Sequence, residues 1–264
     1  MDIMKDARRH WSRLIRECFR IKRCCALAIA GVVALSAMAG VSAAPQSETR
    51  ARRVERHPAK KAARASQSLS GEETQEARAL LDRLGYWVDV DATKGDTSLR
   101  HALIAFQKVE GRERTGALTA EELDALRDAE APEVMKSGYP HIEIDLERQV
   151  LFMIDCGGVP LRVLPISSGS GEYFTQGGVT RQAETPVGKF EIYRKVEGWR
   201  KSPLGLLYYP NYILDGIAIH GNPSVPTRPA SHGCIRIPMF AAREFSEIVD
   251  VGLEVIVYRS VPLA

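Results

Sequence analysis

The sequence predicts a mostly β protein, a β-sandwich domain preceded by a small three-helix domain. Two changes of rhythm carry this expectation. Apolar residues recur at helical spacing from Ser70 to about Ala129, and after Pro132 the period falls to two. A third observation sets the N-terminal limit of both. Residues 44–70 are poor in large apolar side chains and hold Arg50, Arg52, Arg53, Arg56, Lys60, Lys61 and Arg64, the composition of a solvated, disordered linker. At 264 residues, 45% hydrophobic and 26% charged, the chain has an ordinary globular composition with room for two domains, which names no function.

In chain order, eight Lys/Arg lie before residue 24, and an apolar run from Cys24 to Ala44 ends in Val41-Ser42-Ala43. A basic start, an apolar run and small residues at its end make an export signal over 1–43. The run is also close to the ~20 residues that span a bilayer, so an uncleaved anchor is the alternative. Either way the body faces outward, in the periplasm or cell wall, and touches membrane only through such an anchor. A lipoprotein signal needs a cysteine just after the run, whereas Cys24 and Cys25 stand at its beginning, which excludes that signal. Without residues 1–43, 28 of 36 Lys/Arg and 30 of 33 Asp/Glu remain, so the basicity belongs to the leader. The linker could be drawn to anionic surfaces, but nucleic acid is no partner outside the cytoplasm.

The three-helix domain is expected over 71–130. Ser70 and Glu73 have capping-box spacing ahead of Ala77, Leu80, Leu81 and Leu84, and Gly85 stops this first helix. A second helix lines up Leu99, Leu103 and Phe106. A third starts at Thr119, with Glu122 again in capping-box spacing before Leu123 and Leu126. Strands follow at Ile142 to Leu146, Val150 to Ile154, Leu161 to Pro165, Lys189 to Arg194, Leu206 to Tyr209, Gly216 to His220 and Leu253 to Tyr258. One helix interrupts them after Pro238, aligning Ala241, Phe245, Ile248 and Val249. Tyr173, Phe174, Trp199, Tyr208 and Tyr209 are read mostly as core, with Trp199 as the one loop aromatic; no internal repeat and no phosphate-binding glycine motif occurs.

The chemistry concentrates between His220 and Arg236. Cys234 follows Ser231, His232 and Gly233, and His220 closes an apolar strand fourteen residues earlier. A thiolate nucleophile needs an imidazole to take its proton and backbone N–H groups to hold an oxyanion. This stretch offers all three, and a glycine at 233 lets the backbone approach a substrate. Ser231 and His232 read as positioning groups, with a structural histidine the equal alternative for His232. Arg236 suits a substrate carboxylate, or else an ordinary ion pair; Arg228 reads as surface charge. His220, His232, Cys234 and Asp215 could instead ligate zinc, but no C-x-x-C or H-E-x-x-H accompanies them. A papain-like protease is opposed by chain order, since here the histidine precedes the cysteine. With Cys18, Cys24 and Cys25 in the leader, Cys156 and Cys234 remain. A disulfide between them would end any nucleophilic role for Cys234, and the expectation is rather that Cys156 is a buried free cysteine.

The pattern of a histidine, a variable loop, then Ser-His-Gly-Cys, a hydrophobic residue and Arg resembles the YkuD-type L,D-transpeptidase family. The resemblance extends through Tyr139-Pro140-His141-Ile142, Thr185-Pro186-Val187-Gly188 and Gly216 to Gly221, and implies a catalytic domain over 139–259. Carried over, Cys234 is the nucleophile and His220 the base, oriented by the Gly221 carbonyl. The N–H groups of His232, Gly233 and Cys234 form the oxyanion site. Leu84-Gly85-Tyr86, Ala105-Phe106-Gln107 and Thr115 to Thr119 resemble a peptidoglycan-binding domain, with Asp89 to Asp96 in place of its usual Asp-Gly-x-Phe-Gly. A plain docking spacer is the alternative.

The implied activity is acyl transfer from peptidoglycan tetrapeptide stems. Terminal D-Ala leaves, and the acceptor is a second stem, a protein amine or a free D-amino acid. Hydrolysis of the same thioester by an L,D-carboxypeptidase or endopeptidase is the first alternative, and a non-catalytic wall-binding protein the second. The resemblance implies no cofactor and no metal.

Overall fold

The computed structural model describes residues 69–92, 96–135 and 139–259; the leader expected over 1–43 and the linker up to residue 68 lie outside them. Among the described residues three helices come first, α1 (Gly71–Arg83), α2 (Ser98–Val109) and α3 (Ala120–Asp128). Their starts obey local chemistry. The Ser70 hydroxyl accepts the Glu73 N–H at 3.1 Å while the Glu73 carboxylate accepts the Ser70 N–H at 2.9 Å, and the Thr119 hydroxyl accepts the Glu122 N–H at 3.1 Å. Gly85, at φ 88°, ends α1, and a Cβ there would stand 2.9 Å from the Pro160 carbonyl oxygen. Only glycine satisfies both the turn and the approach. Between α1 and α2, Arg78 is buried and donates to the Asp96 carboxylate (3.1 Å) and the Asp89 carbonyl (2.7 Å). That ion pair organises the polar loop.

Twelve strands and one helix follow: β1 (His141–Asp145), β2 (Val150–Ile154), β3 (Pro160–Pro165), β4 (Tyr173–Gln176), β5 (Val179–Gln182), β6 (Gly188–Glu191), β7 (Arg194–Lys195), β8 (Trp199–Ser202), β9 (Gly205–Leu214), β10 (Ile217–Asn222), β11 (Ile235–Pro238), α4 (Met239–Ile248) and β12 (Glu254–Tyr258). The first sheet runs β3-β2-β1-β12-β6. The second runs β11-β10-β9-β7 with β8 also on β9, and β4 and β5 form a separate two-stranded ribbon. Between the two large sheets lies one core, built from Ile142, Ile144, Leu151, Met153, Val255 and Val257 on one side and Ile213, Ile219, Ile235 and Ile237 on the other. Helix α4 adds Ala241, Ala242, Phe245 and Ile248 to it.

The outer face of the first sheet is buried as well. Val150, Phe152, Ile154 and Val163 form one cluster with Leu81, Leu103, Phe106, Leu123 and Leu126 of the helical unit. Full burial of such side chains contributes about 1.5–3 kcal/mol each. Backbone bonds reinforce the contact: the Val163 N–H donates to the Gly85 carbonyl (2.8 Å) and the Trp87 N–H to the Val163 carbonyl (3.0 Å), which lays residues 85–87 along β3. The helical unit is thus a third layer of the molecule and packs on the sandwich directly.

Two expectations need correction. Of the aromatics read mostly as core, Tyr208 packs half-buried against the sandwich core, but Tyr173 is 74% exposed and Phe174 and Tyr209 are only half-buried; Trp199, read as a loop aromatic, is 53% exposed but lies in a strand, β8. Tyr173 and Phe174 sit on the separate β4–β5 ribbon, whose residues are exposed or half-buried, and Trp199 sits on β8, paired only to β9. Cys156 is exposed in the turn after β2, and it is not a free cysteine.

Candidate active site

Parallel pairing of β10 with β11 aligns Ile219 with Ile235 and His220 with Arg236. Residues in register share a face. Ile219, Ile235 and Ile237 therefore enter the core, and His220 and Arg236 are turned to the other side of the sheet. The β10–β11 pair sets Arg236 beside His220, and Cys234 directly precedes the paired strand β11.

His220 is buried, and its Nδ1 lies 2.9 Å from the Gly221 carbonyl oxygen. A carbonyl can only accept, so Nδ1 carries the proton and the Nε2 lone pair is left available. Burial, with help from the nearby Arg236 charge, lowers the His220 pKa to about 4, so the imidazole is neutral at physiological pH. Gly221 must be a glycine for packing reasons: a Cβ there would stand 2.6 Å from the Cβ of Ala242 in α4.

Cys234 is half-buried and a free thiol, and no disulfide joins it to Cys156. Its Sγ donates to the Gly216 carbonyl at 3.6 Å. Burial raises the thiol pKa above the ordinary cysteine value, opposed by the Ala218 backbone and by Arg236. With the histidine neutral and the thiol protonated, the resting pair is uncharged. Alkylation of Cys234 by iodoacetamide without substrate is expected to rise with pH around a midpoint above that of a free thiol. A midpoint below pH 7 would instead indicate a preformed thiolate–imidazolium pair.

The turn before Cys234 is held from several directions. The Ser231 hydroxyl donates to the Cys234 carbonyl (2.5 Å) and accepts the Gly233 N–H (3.0 Å). Within the turn the Gly233 donor is thus engaged by the Ser231 hydroxyl. Gly233 has φ 132°, and a Cβ there would stand 2.8 Å from the Glu184 carbonyl oxygen. Thr185 donates to the Gly233 carbonyl (2.7 Å) and accepts the Gly169 N–H (2.9 Å). The sequence displayed Thr185 as part of a turn and gave no sign of this clamp. Exposed His232 lies edge-on to Phe174 of the ribbon, ring centroids 4.7 Å apart.

Arg236 is half-buried, and among the described residues no carboxylate forms an ion pair with it. Its backbone is paired instead, the Arg236 N–H donating to the Ser167 carbonyl (3.0 Å) and the Ser167 N–H to the Arg236 carbonyl (3.1 Å). Arg228 is exposed, as a surface charge should be. Among the described residues no three His, Cys, Asp or Glu side chains gather in a way that could hold a metal ion.

Residues 139–257 match the family model described as the L,D-transpeptidase catalytic domain, and residues 70–126 match that of a putative peptidoglycan binding domain. The solved L,D-transpeptidase of Xylanimonas cellulosilytica is similar at 34% identity and TM-score 0.67, over 73% of this chain and 96% of that one. An L,D-transpeptidase from Stackebrandtia nassauensis aligns over 75% of this chain and 97% of its own at 22% identity, with a TM-score of 0.42. No curated protein sequence matches the chain.

Proposed function

The chain belongs to the L,D-transpeptidase family, and from that premise we propose that it is an exported enzyme that links peptidoglycan stems through an acyl group carried on Cys234. Peptidoglycan is the substrate that both matched domains share, and such domains act outside the cytoplasm. The observation that carries the residue assignment is a free thiol directly before β11, the strand paired with that of a buried, neutral histidine whose Nδ1 is already held by a carbonyl.

In this reading His220 takes the thiol proton as Sγ attacks the carbonyl carbon of the third stem residue. The N–H groups of His232 and Cys234 face the oxyanion, since that of Gly233 serves Ser231. Each such donor is worth ~3 kcal/mol of barrier. Collapse breaks the C–N bond, His220 returns the proton to the departing D-Ala amine, and a thioester remains. An acceptor amine then attacks the thioester, gives its proton to His220 and releases the Cys234 sulfur. Arg236, lacking an acidic partner among the described residues, binds a stem carboxylate. Arg236→Met is therefore expected to raise the donor KM about 10-fold or more, with a smaller fall in kcat. An unchanged KM would return Arg236 to an ordinary surface role.

The deciding experiment is intact-protein mass spectrometry with a disaccharide tetrapeptide, repeated with an acceptor stem. A Cys234 adduct that becomes a cross-linked dimer supports transpeptidation. Tripeptide alone would make the enzyme a hydrolase. No adduct at all would overturn the assignment of Cys234.

A further inference from the structure

We propose that Lys108 of α2 is a positioning residue for the turn that carries Cys234, so that the helical unit supports the acyl-transfer site from behind. The inference rests on the assignment of Cys234 given above.

Lys108 is 1% exposed, an unusual place for an amine. Its Nζ donates to the Gln149 carbonyl at 3.0 Å and the Ile166 carbonyl at 2.8 Å, both on the sandwich. An apolar side chain would fill the same space without the cost of stripping water from an ammonium group. What the lysine supplies is direction, since its two bonds fix the ends of a junction. Gln149 has a left-handed backbone, φ 62°, and its carbonyl also accepts the Ile166 N–H at 2.9 Å. Its side chain accepts the Ser168 N–H (3.0 Å) and donates to the Ser168 hydroxyl (2.7 Å).

The segment held in this way is the template for the nucleophile turn. Ser167 exchanges both backbone bonds with Arg236, and its hydroxyl donates to the Arg228 carbonyl at 2.8 Å. The Ser168 carbonyl accepts the N–H groups of Ala230 and Ser231, each at 2.9 Å, and the Ser170 N–H donates to the Ser231 carbonyl at 2.9 Å. An unbroken run of hydrogen bonds therefore leads from Lys108 through 166–170 to residues on both sides of Cys234. A second strut comes from the same unit: Arg114, between α2 and α3, donates to the Thr227 carbonyl at 3.0 Å, in the loop that leads to the turn. Errors of about 1 Å in such a site can cost ~10²-fold in rate.

The test uses the full chain and two variants. Lys108→Met keeps an unbranched stem of similar length and removes both bonds. Well below its melting temperature it is expected to acylate Cys234 with tetrapeptide about 10- to 100-fold more slowly. Donor KM and iodoacetamide alkylation of Cys234 should stay within about 3-fold, because the thiol remains and only its placement against the oxyanion donors is lost. Arg114→Ala, which leaves the shared core untouched, should slow acylation about 3- to 10-fold with an unchanged melting temperature. Acylation at the unmutated rate in Lys108→Met would overturn the proposal, as would an equal loss of alkylation and acylation, the mark of a merely structural role. If Lys108→Met does not fold, the decision passes to Arg114→Ala, where an unchanged acylation rate overturns it. An unmutated protein that forms no Cys234 adduct condemns the catalytic assignment itself.

Discussion

Replacing Cys234 by alanine is expected to remove the covalent adduct with a disaccharide tetrapeptide and to lower turnover by ~10⁴-fold or more, since loss of a covalent nucleophile costs on this scale in enzymes that work through an acyl intermediate. Cys234 is a free thiol, it is partly open to solvent, and it directly precedes β11, which pairs with the strand that carries His220. No other side chain on the 231–236 turn can form a stable acyl linkage in its place; the Ser231 hydroxyl is buried and bonded to the Cys234 carbonyl at 2.5 Å. Stability should change little, because the side chain is half-buried and its bond to the Gly216 carbonyl is long at 3.6 Å. The measurement is the intact mass after incubation with donor, read beside the melting temperature. Turnover at even a tenth of the unmutated rate in a folded Cys234→Ala protein would end the thioester mechanism and favour direct attack by water or amine.

What the sequence made legible was local. The helix starts at Ser70 and Thr119 and the stop at Gly85 are written in a few neighbouring residues, and the structure places α1 and α3 accordingly. The turn proposed to carry the nucleophile stands out in the sequence because Ser231 to Arg236 crowd their chemistry into one short span. The ribbon bearing Phe174 did leave a signal that went unused: β-prone residues flank Gly177-Gly178, and both glycines have positive φ, at 56° and 79°, as a tight two-residue hairpin requires. It lacks the apolar alternation of the sandwich strands because neither of its faces is buried.

Contacts between distant segments were not legible. β2 reads as alternating Val150, Phe152 and Ile154, yet Leu151 and Met153 are equally buried, because one set faces the sandwich core and the other the helical unit. A strand covered on both sides loses its alternation, and no local pattern states what does the covering. Lys108 illustrates the same limit. At the end of an amphipathic helix a lysine ordinarily points to water, and only the docked sheet turns it into a buried donor to two carbonyls. Thr185 is similar, its clamp on the Gly233 carbonyl joining residues 48 apart.

His220→Ala is expected to slow acyl-enzyme formation by ~10²–10⁴-fold at neutral pH, the usual worth of a placed general base. Because burial raises the thiol pKa, Cys234 gains little by ionising alone at pH 7. The deficit should therefore shrink as pH rises and solvent hydroxide makes the thiolate without help. On the acid side, burial holds the His220 pKa at about 4, so the unmutated enzyme should keep its base through pH 6 and lose it only on approach to pH 4. The same group couples pH to stability. Between pH 6.5 and about 4 the unfolded chain binds more protons at this site than the folded one, so its contribution is full above pH 6.5 and is lost as pH falls. At ~1.4 kcal/mol per pH unit this amounts to about 3 kcal/mol. Burial lowers the His101 pKa to about 4 as well, so that group adds in the same direction and persists in the variant. Melting temperatures from pH 7 to 4 should thus fall less steeply in His220→Ala than in the unmutated protein. Rate profiles that superimpose on those of the unmutated enzyme across pH would remove His220 from the reaction and leave it a buried structural histidine.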